Sequence, residues 1–401
     1  MVLMALFTTF ITTPVVMAVY KPARRKMDYK YRTIERKNPD TQLRILACFH
    51  SARNIPSMIN LLEASRGVEK REGLSVYALH LLELSERSSA ILMVHKARKN
   101  GLPFWNKGRR SDSDHVVVAF EAFQQLSQVT VRSMTSISSM ADMHEDICTT
   151  AESKRAAIII LPFHKHQRMD GSLETTRTDF RWVNRRVLEH APCSVGILVD
   201  RGLGGTTHVS ASNVSYLITV LFFGGRDDRE ALAYGARMAE HPGISLNIIR
   251  FVVEPETIGE IATVDVEENS SLKTISLDEE FLSEFKKIPK DDSVRYEEKA
   301  VQNATETIAA IRGAGRCNLY LVGRMPDGEL ALALRKRTEC PELGPVGSLL
   351  ISPDFSTTAS VLVIQQYNGN ISLGLALDME EESPEKDSES NQISSLSEHL
   401  S

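Results

Sequence analysis

The chain has 401 residues, of which 42% are hydrophobic and 25% charged, an ordinary globular composition with enough length for two domains. Its formal net charge of -5 argues against a general nucleic-acid binder. The five cysteines contain no CxxC pair, which favours buried free thiols in a reducing compartment over a disulfide framework or a zinc site.

Residues 1–20, MVLMALFTTFITTPVVMAVY, carry no charge, and a cluster of Lys and Arg follows at once. At about 1.5 Å per residue, a helix of this length crosses a hydrocarbon core about 30 Å thick. Basic residues directly after a span mark its cytoplasmic side. We therefore predict a transmembrane helix over 1–20 with the rest of the chain in the cytosol. A secretory signal peptide and a buried core helix are the alternatives, although a signal peptide carries its positive charge before the apolar run.

The composition of the span also indicates its surroundings. Four threonines and Pro14 make it only moderately apolar, and helices inside a membrane bundle tolerate such residues better than a lone span does. The stretch is therefore typical of the last helix of a larger bundle. Residues 21–41 form a basic linker that we expect to lie near anionic headgroups or to serve only as a soluble connection.

Residues 42–201 alternate between apolar strands and amphipathic helices. The strands are predicted at 44–50, 74–84, 129–137, 156–163 and 194–200, with helices at 54–65, 115–127, 140–153 and 180–190. Strand, helix, strand with short connections is the pattern of a parallel sheet. We predict one doubly wound α/β domain here.

After a Gly-rich linker over 202–213, residues 214–367 repeat the pattern. Strands are predicted at 215–223, 244–253, 318–323 and 360–366, with a helix at 226–240. The fold class is therefore α/β, with two tandem doubly wound parallel-sheet domains that arose by duplication. An acidic insertion over 254–292 contains a capping box at Ser276, which predicts a helix that covers its own sheet or docks on a partner. Residues 368–401, acidic and Ser-rich, are predicted to be disordered.

The chain shows no constellation that is typical of an enzyme. GxSxG, HExxH, GxxxxGK[ST] and GxGxxG are all absent from the sequence. His164 and His166 follow a strand and could contact a metal, but the sequence places no third ligand, so we predict a solvent-facing loop. We expect no enzyme activity, no metal and no cofactor. Proton-coupled transport needs carboxylates inside the membrane, and residues 1–20 contain none.

Several long phrases resemble a known family. HAPCSVGILVDR (190–201) resembles the closing segment of universal-stress-protein-like domains. The phrases at 43–67, 78–98, 222–246, 319–337 and 340–350, among them FFGGRDDREALAYGARMAEHPGISL, resemble the cytosolic tail of plant monovalent cation/H⁺ exchangers. The resemblance runs from the last transmembrane helix through both tail domains.

The resemblance implies the C-terminal part of a K⁺(Na⁺)/H⁺ antiporter, mainly of endomembranes, that acts in potassium and pH homeostasis. It implies that the transport core is not part of this sequence. The expected partners are the membrane, that transport core, and K⁺ or Na⁺ with H⁺ as the transported ions; a homodimer stays open, and nucleic acid is not expected. The alternative is a membrane-tethered nucleotide or pH sensor of the same fold.

Nucleotide-binding relatives of the stress-protein fold carry an Asp at the end of the first strand and a glycine loop after the fourth. The first domain ends its first strand with Phe49-His50-Ser51 and lacks both elements. In the second domain, Gly323 is followed by Pro326 where the next glycine is expected. The remaining candidates for weak nucleotide binding are Gly323, Gly344, Gly347 and Ser348. The alternative is that these glycines serve turns.

Overall fold

The structure, a computed structural model, describes residues 32–35, 42–67, 73–84, 112–127, 129–168, 173–175, 177–203, 216–253, 268–287, 293–334, 340–355 and 358–369. The predicted span over 1–20 and nearly all of the predicted tail lie outside the described residues. Within those ranges, no helix is both long enough and apolar enough to cross a membrane.

Parallel strands dominate the described chain. They are β1 (Leu43–Phe49), β2 (Leu74–Glu83), β3 (Thr130–Ser138), β4 (Ile158–Pro162), β5 (Lys165–Gln167), β6 (Leu173–Thr175), β7 (Ser194–Val199), β8 (Tyr216–Phe222), β9 (Ile244–Val253), β10 (Val294–Val301), β11 (Leu319–Gly323) and β12 (Ser360–Gln365). Strands β5 and β6 form a small hairpin. The other ten form one sheet in the order β10-β9-β8-β11-β12-β7-β4-β1-β2-β3.

Helices connect the strands. They are α1 (Ile55–Ala64), α2 (Asp112–Ser127), α3 (Met143–Lys154), α4 (Asp179–His190), α5 (Arg226–Ala239), α6 (Glu268–Lys286), α7 (Ala304–Arg312), α8 (Glu329–Leu334) and α9 (Gly344–Ile351). Local sequence explains several boundaries. Pro56 lies in the first turn of α1, where its missing N–H costs nothing. The side chain of Asn303 caps α7 by accepting from the Glu306 N–H.

The sheet consists of two halves with the same strand order. The first half, β1–β7, is ordered β3-β2-β1-β4-β7, and the second half, β8–β12, is ordered β10-β9-β8-β11-β12. Within each half the strands of this large sheet are parallel, but β12 pairs with β7 antiparallel, with Val363 opposite Ile197. The strand order repeats between the two halves, as a duplication would produce, and the duplication itself stays a prediction. The division into two separate domains stays a prediction, because the sheet runs without a break across both halves.

Helices cover both faces of the sheet, as a doubly wound fold requires. Alternate residues of β1 point to opposite faces: Ile45 and Ala47 join the cluster under α1, α2, α5 and α6, whereas Leu46 and Cys48 join the cluster under α3, α4, α7 and α9. Each cluster includes residues of both halves. The hydrophobic core is therefore continuous across the seam, by which we mean the β7–β12 junction.

The structure corrects three interpretations of the sequence. Residues 32–35, predicted as linker, pack against the body, with Ile34 buried in the core. The helix assigned to a capping box at Ser276 begins earlier, at Glu268, so Ser276 lies inside α6. His164 is buried rather than solvent-facing. Its Nδ1 lies 3.1 Å from the carboxylate of Glu342, which is also buried. Of the two alternatives for α6, covering its own sheet is the one observed, because Leu282 of α6 is fully buried in the core.

Candidate functional site at the carboxyl edge of the second half

The strand order of the second half reverses between β8 and β11. From β8 the chain continues to β9 on one side, and from β11 it continues to β12 on the other. In open α/β sheets, ligands bind in the crevice outside the carboxyl ends of the strands at such a point. Helix α5 begins there, directly after Gly224 and Gly225, which have φ angles of 133° and 93°. This edge is therefore the first place to look for a ligand site.

Asp228, in the first turn of α5, fills the space between the two strand ends. Its Oδ2 accepts hydrogen bonds from the backbone N–H groups of Phe223 (2.7 Å) and Gly224 (2.9 Å). Its Oδ1 accepts from the N–H of Gly323 at 2.9 Å. The side chain is buried, and burial raises the pKa of Asp228 to about 8 even though the three N–H donors favour the carboxylate.

Asp227 completes the arrangement one residue earlier. Its Oδ2 accepts from the Met325 N–H at 3.0 Å, and its Oδ1 accepts from the Gln366 N–H at 3.0 Å. Burial raises the pKa of this carboxyl as well, against the two backbone donors. The two aspartates together hold backbone donors from the ends of β8, β11 and β12. Backbone N–H groups at strand ends and at a helix N-terminus are the donors that anions bind in such folds, and the strand-end donors here already hydrogen-bond to two acidic side chains.

A third acidic side chain, Asp278 of α6, contacts the same turn. Asp278 on α6 accepts from the Gly225 N–H at 2.8 Å and pairs with the Arg229 guanidinium. The contact ties α6 to the start of α5. A side chain at position 225 would meet the Asp327 carboxylate at 2.6 Å, so this turn admits only glycine without rearrangement.

The four predicted nucleotide residues all have internal roles. The Gly323 N–H donates to Asp228, and a Cβ at Gly344 would overlap the Arg324 carbonyl oxygen. A Cβ at Gly347 would lie 2.7 Å from the Val363 side chain, and the buried Ser348 hydroxyl donates to the Cys340 carbonyl at 3.0 Å. Weak nucleotide binding by these residues stays a prediction.

The sequence analysis did not identify Asp227 and Asp228 as site residues, because it placed this helix from the spacing of its apolar residues alone. A signal was available: two consecutive acidic residues follow a Gly-Gly turn directly after a strand. The first half has Arg53-Asn54-Ile55 at the corresponding distance from β1. The two halves therefore differ in the residues that meet their loop amides.

A second polar cluster joins the two halves. The Glu342 carboxylate lies 3.1 Å from His164 Nδ1 and 3.6 Å from Arg181 Nε. Burial raises the pKa of Glu342, but the His164 and Arg181 contacts outweigh it, and the net shift is downward. Over the described ranges, no group of His, Cys, Asp and Glu is arranged to hold a metal ion. The contact between His164 and Glu342 links the end of β4 in the first half to the segment before α9.

Two family models match the chain. Residues 76–203 match the plant cation/H(+) antiporter domain, and residues 215–365 match the plant cation/H(+) antiporter C-terminal domain. The chain belongs to the plant cation/H(+) antiporter family. The second range covers all of β8–β12, whereas the first begins within β2 and leaves out β1 and α1 of the first half.

Curated members of the antiporter family align with nearly the whole chain. Cation/H(+) antiporter 18 of Arabidopsis thaliana is 69% identical over 389 residues, which are 94% of this chain and 48% of that protein. Cation/H(+) antiporter 17 of the same plant is 54% identical over 412 residues, 97% of this chain and 50% of that protein. The chain thus spans about half the length of these relatives.

Two solved structures are distantly similar. One is a universal stress protein from Archaeoglobus fulgidus DSM 4304, with a TM-score of 0.41 and 13% identity over 81% of this chain and 97% of that one. The other is the cytoplasmic domain of a prokaryotic cation chloride cotransporter, with a TM-score of 0.42 and 13% identity over 84% of this chain and 100% of that one.

Proposed function

We propose that the chain is the C-terminal regulatory part of a monovalent cation (K⁺ or Na⁺)/H⁺ antiporter that acts in potassium and pH homeostasis at an endomembrane. In this proposal residues 1–20 span the membrane, the α/β body lies in the cytosol, and the transport core belongs to sequence that this chain does not contain. The family match supports the transport class. The absence of any carboxylate in residues 1–20 supports the assignment of ion transport to another part of the antiporter.

The observation that favours regulation over nucleotide sensing is the occupied edge of the second half. Asp227 and Asp228 hold the backbone donors at the ends of three strands. A phosphate at this position would have to displace two buried acidic side chains from these donors. We therefore propose that the body acts through its own contacts with the membrane part rather than through a bound nucleotide.

Reconstitution into vesicles tests the proposal. The 401-residue chain alone is expected to give no proton movement when a K⁺ or Na⁺ gradient is imposed. The same chain joined to the transport core of its antiporter is expected to support exchange, and truncation of that antiporter before Leu43 is expected to change the exchange rate. Exchange by the chain alone, or exchange that is indifferent to the truncation, contradicts the proposal.

A pH-sensing role is a second candidate, and one observation favours it. The pKa of Asp228 is raised to about 8, so this carboxyl gains or loses a proton within the range of cellular pH. A pH-dependent exchange rate that becomes flatter in Asp228→Asn, with the exposed Asp142→Asn as control, supports this role. An unchanged pH profile contradicts it.

A further inference from the structure

The segment of residues 32–35 lies at the seam between the two halves. The Ser194 N–H, at the start of β7, donates to the Arg32 carbonyl at 2.9 Å. Two residues further on, the Ile34 side chain is buried in the core cluster. A stretch expected to be a solvated linker is therefore fixed to the body by both backbone and side chain.

Glu230 on α5 holds this segment from the other side. Its Oε1 accepts from the Ile34 N–H (2.6 Å), and its Oε2 accepts from the Glu35 N–H (2.9 Å). The same oxygens accept from the Ser194 hydroxyl at 2.7 Å and from Gln366 Nε2 at 3.2 Å. The Glu230 side chain is fully buried. One carboxylate thus gathers donors from the segment, from β7 of the first half and from the end of β12.

Further contacts fix the ends of the segment. Arg32 donates to the Tyr367 hydroxyl at 2.5 Å, and its guanidinium lies 5.0 Å from the centroid of the same ring. At the other end, the Glu35 carboxylate accepts from Arg229 Nε at 3.1 Å and from Gln366 Nε2 at 2.5 Å. The segment therefore contacts both halves at one end of the seam.

The repeat within the fold shows that Glu230 is not required by the fold itself. Glu230 stands eight residues after the end of β8, and Ser57 stands eight residues after the end of β1. Ser57 makes only a local bond, from its hydroxyl to the Asn54 carbonyl at 3.0 Å. The same helix position thus functions without a carboxylate in the first half. The buried carboxyl group in the second half goes together with the docked segment.

We propose that residues 32–35 and Glu230 form a clasp that transmits movement between the membrane part of the antiporter and the seam of its cytosolic body. This inference rests on the proposed function, because it requires a span ahead of the clasp. The predicted span ends at Tyr20, twelve residues before Arg32. At about 3.3 Å per residue, the intervening chain reaches about 40 Å at most, so a closed clasp keeps the seam near the bilayer.

Hydrogen exchange of the 401-residue chain in detergent tests whether the clasp exists. The amides of Ile34 and Glu35 are expected to be protected, and Glu230→Ala is expected to speed their exchange about tenfold or more, because each loses its buried acceptor. Glu306→Ala is the matched control, because Glu306 also accepts a backbone N–H, that of Gln302, but lies on α7 away from the seam. Rapid exchange of these amides in the parent chain, or equal exchange in both variants, overturns the clasp.

Exchange activity of the whole antiporter tests what the clasp does. Glu230→Ala and a Gly-Ser replacement of residues 32–35 are expected to change the exchange rate by the same factor, with no further change when combined. The replacement leaves Glu230 in place, so it remains informative if Glu230→Ala fails to fold. If truncation before Leu43 alters exchange but the Gly-Ser replacement does not, the clasp is wrong and the proposed function stands. If the truncation also leaves exchange unchanged, the proposed regulatory function is contradicted, and the clasp is contradicted with it.

Discussion

The hydroxyls of Ser65 and Tyr234 lie 2.6 Å apart in the core, one on the turn after α1 and the other on α5. Ser65 Oγ donates its own hydrogen to the Leu61 carbonyl at 2.7 Å, so Tyr234 is the donor to Ser65. Both residues are fully buried. This hydrogen bond crosses between the two halves on the helical layer, away from the β7–β12 junction.

This hydrogen bond predicts an asymmetric pair of variants. Tyr234→Phe removes a donor and leaves Ser65 with its bond to Leu61, so it should cost about 0.5–1.5 kcal/mol of the free energy of unfolding. Ser65→Ala leaves the buried Tyr234 hydroxyl without its acceptor and should lower the free energy of unfolding by about 1–3 kcal/mol. Urea unfolding of both variants and of the double variant measures the coupling. Strictly additive losses would show that the two hydroxyls do not interact.

The close approach at Gly344 predicts a graded series of glycine substitutions. Gly344→Ala combines a φ of +65° with an overlap onto the Arg324 carbonyl, whereas Gly202→Ala meets open space at a φ of +114°. Gly73→Ala meets open space at an ordinary φ. Backbone strain alone costs about 1–3 kcal/mol, so Gly344→Ala should lower the free energy of unfolding more than Gly202→Ala does. Gly73→Ala should have almost no effect. Equal losses at positions 344 and 202 would mean that the overlap is relieved without cost.

The raised pKa of Asp228 predicts the direction of a pH effect on stability. An aspartate in an unfolded chain titrates near pH 4, and Asp228 in the folded protein titrates at about 8. The folded state therefore binds the proton more tightly, and this contribution to stability is lost as the pH rises through about 8. The free energy of unfolding of Asp228→Asn should depend less steeply on pH between about 5 and 8. An identical slope in the parent and variant chains would contradict the assignment; Asp142→Asn serves as the exposed control.

The occupied carboxyl edge predicts weak nucleotide binding. Calorimetry on the 401-residue chain should give a dissociation constant for ATP or AMP of roughly millimolar, because two or three backbone contacts to phosphate are lacking. Gly347→Val is unsuitable as a diagnostic variant, since its side chain would collide with Val363. Arg226, half-exposed beside Asp227, offers a better one. A low-micromolar constant that is lost in Arg226→Ala would bring the nucleotide-sensor alternative forward.

Apolar periodicity located most central elements of the fold from sequence alone. Strand β4, with every residue buried, was predicted within two residues at its start, and β9 was predicted at its observed bounds. Strand β10 was missed because it lies at the sheet edge, where only Val301 is fully buried and charged residues interrupt the pattern. An edge strand of this kind carries a weak hydrophobic signal even though it pairs along its whole length with β9.

The candidate site was harder to predict than the fold because its contacts join residues far apart in the chain. Asp228 and Gly323 are separated by 95 residues, and Ile34 and Glu230 by 196. No local spacing encodes such pairs. The glycines were visible in the sequence, but whether their amides face a ligand or a carboxylate depends on the start of α5, which periodicity does not address.

The antiparallel pairing of β7 with β12 gives the body a polarity. Because the two halves run in opposite directions, the carboxyl edge of the second half and that of the first lie at opposite ends of the sheet. The end that holds residues 32–35 is rich in buried acid. The far end opens into a cavity of about 290 Å³ whose charged and ionisable lining residues are Arg53, Lys165, His166 and Asp200. The two ends of the sheet therefore present different chemistry, because the antiparallel junction sends the two sets of strand ends in opposite directions.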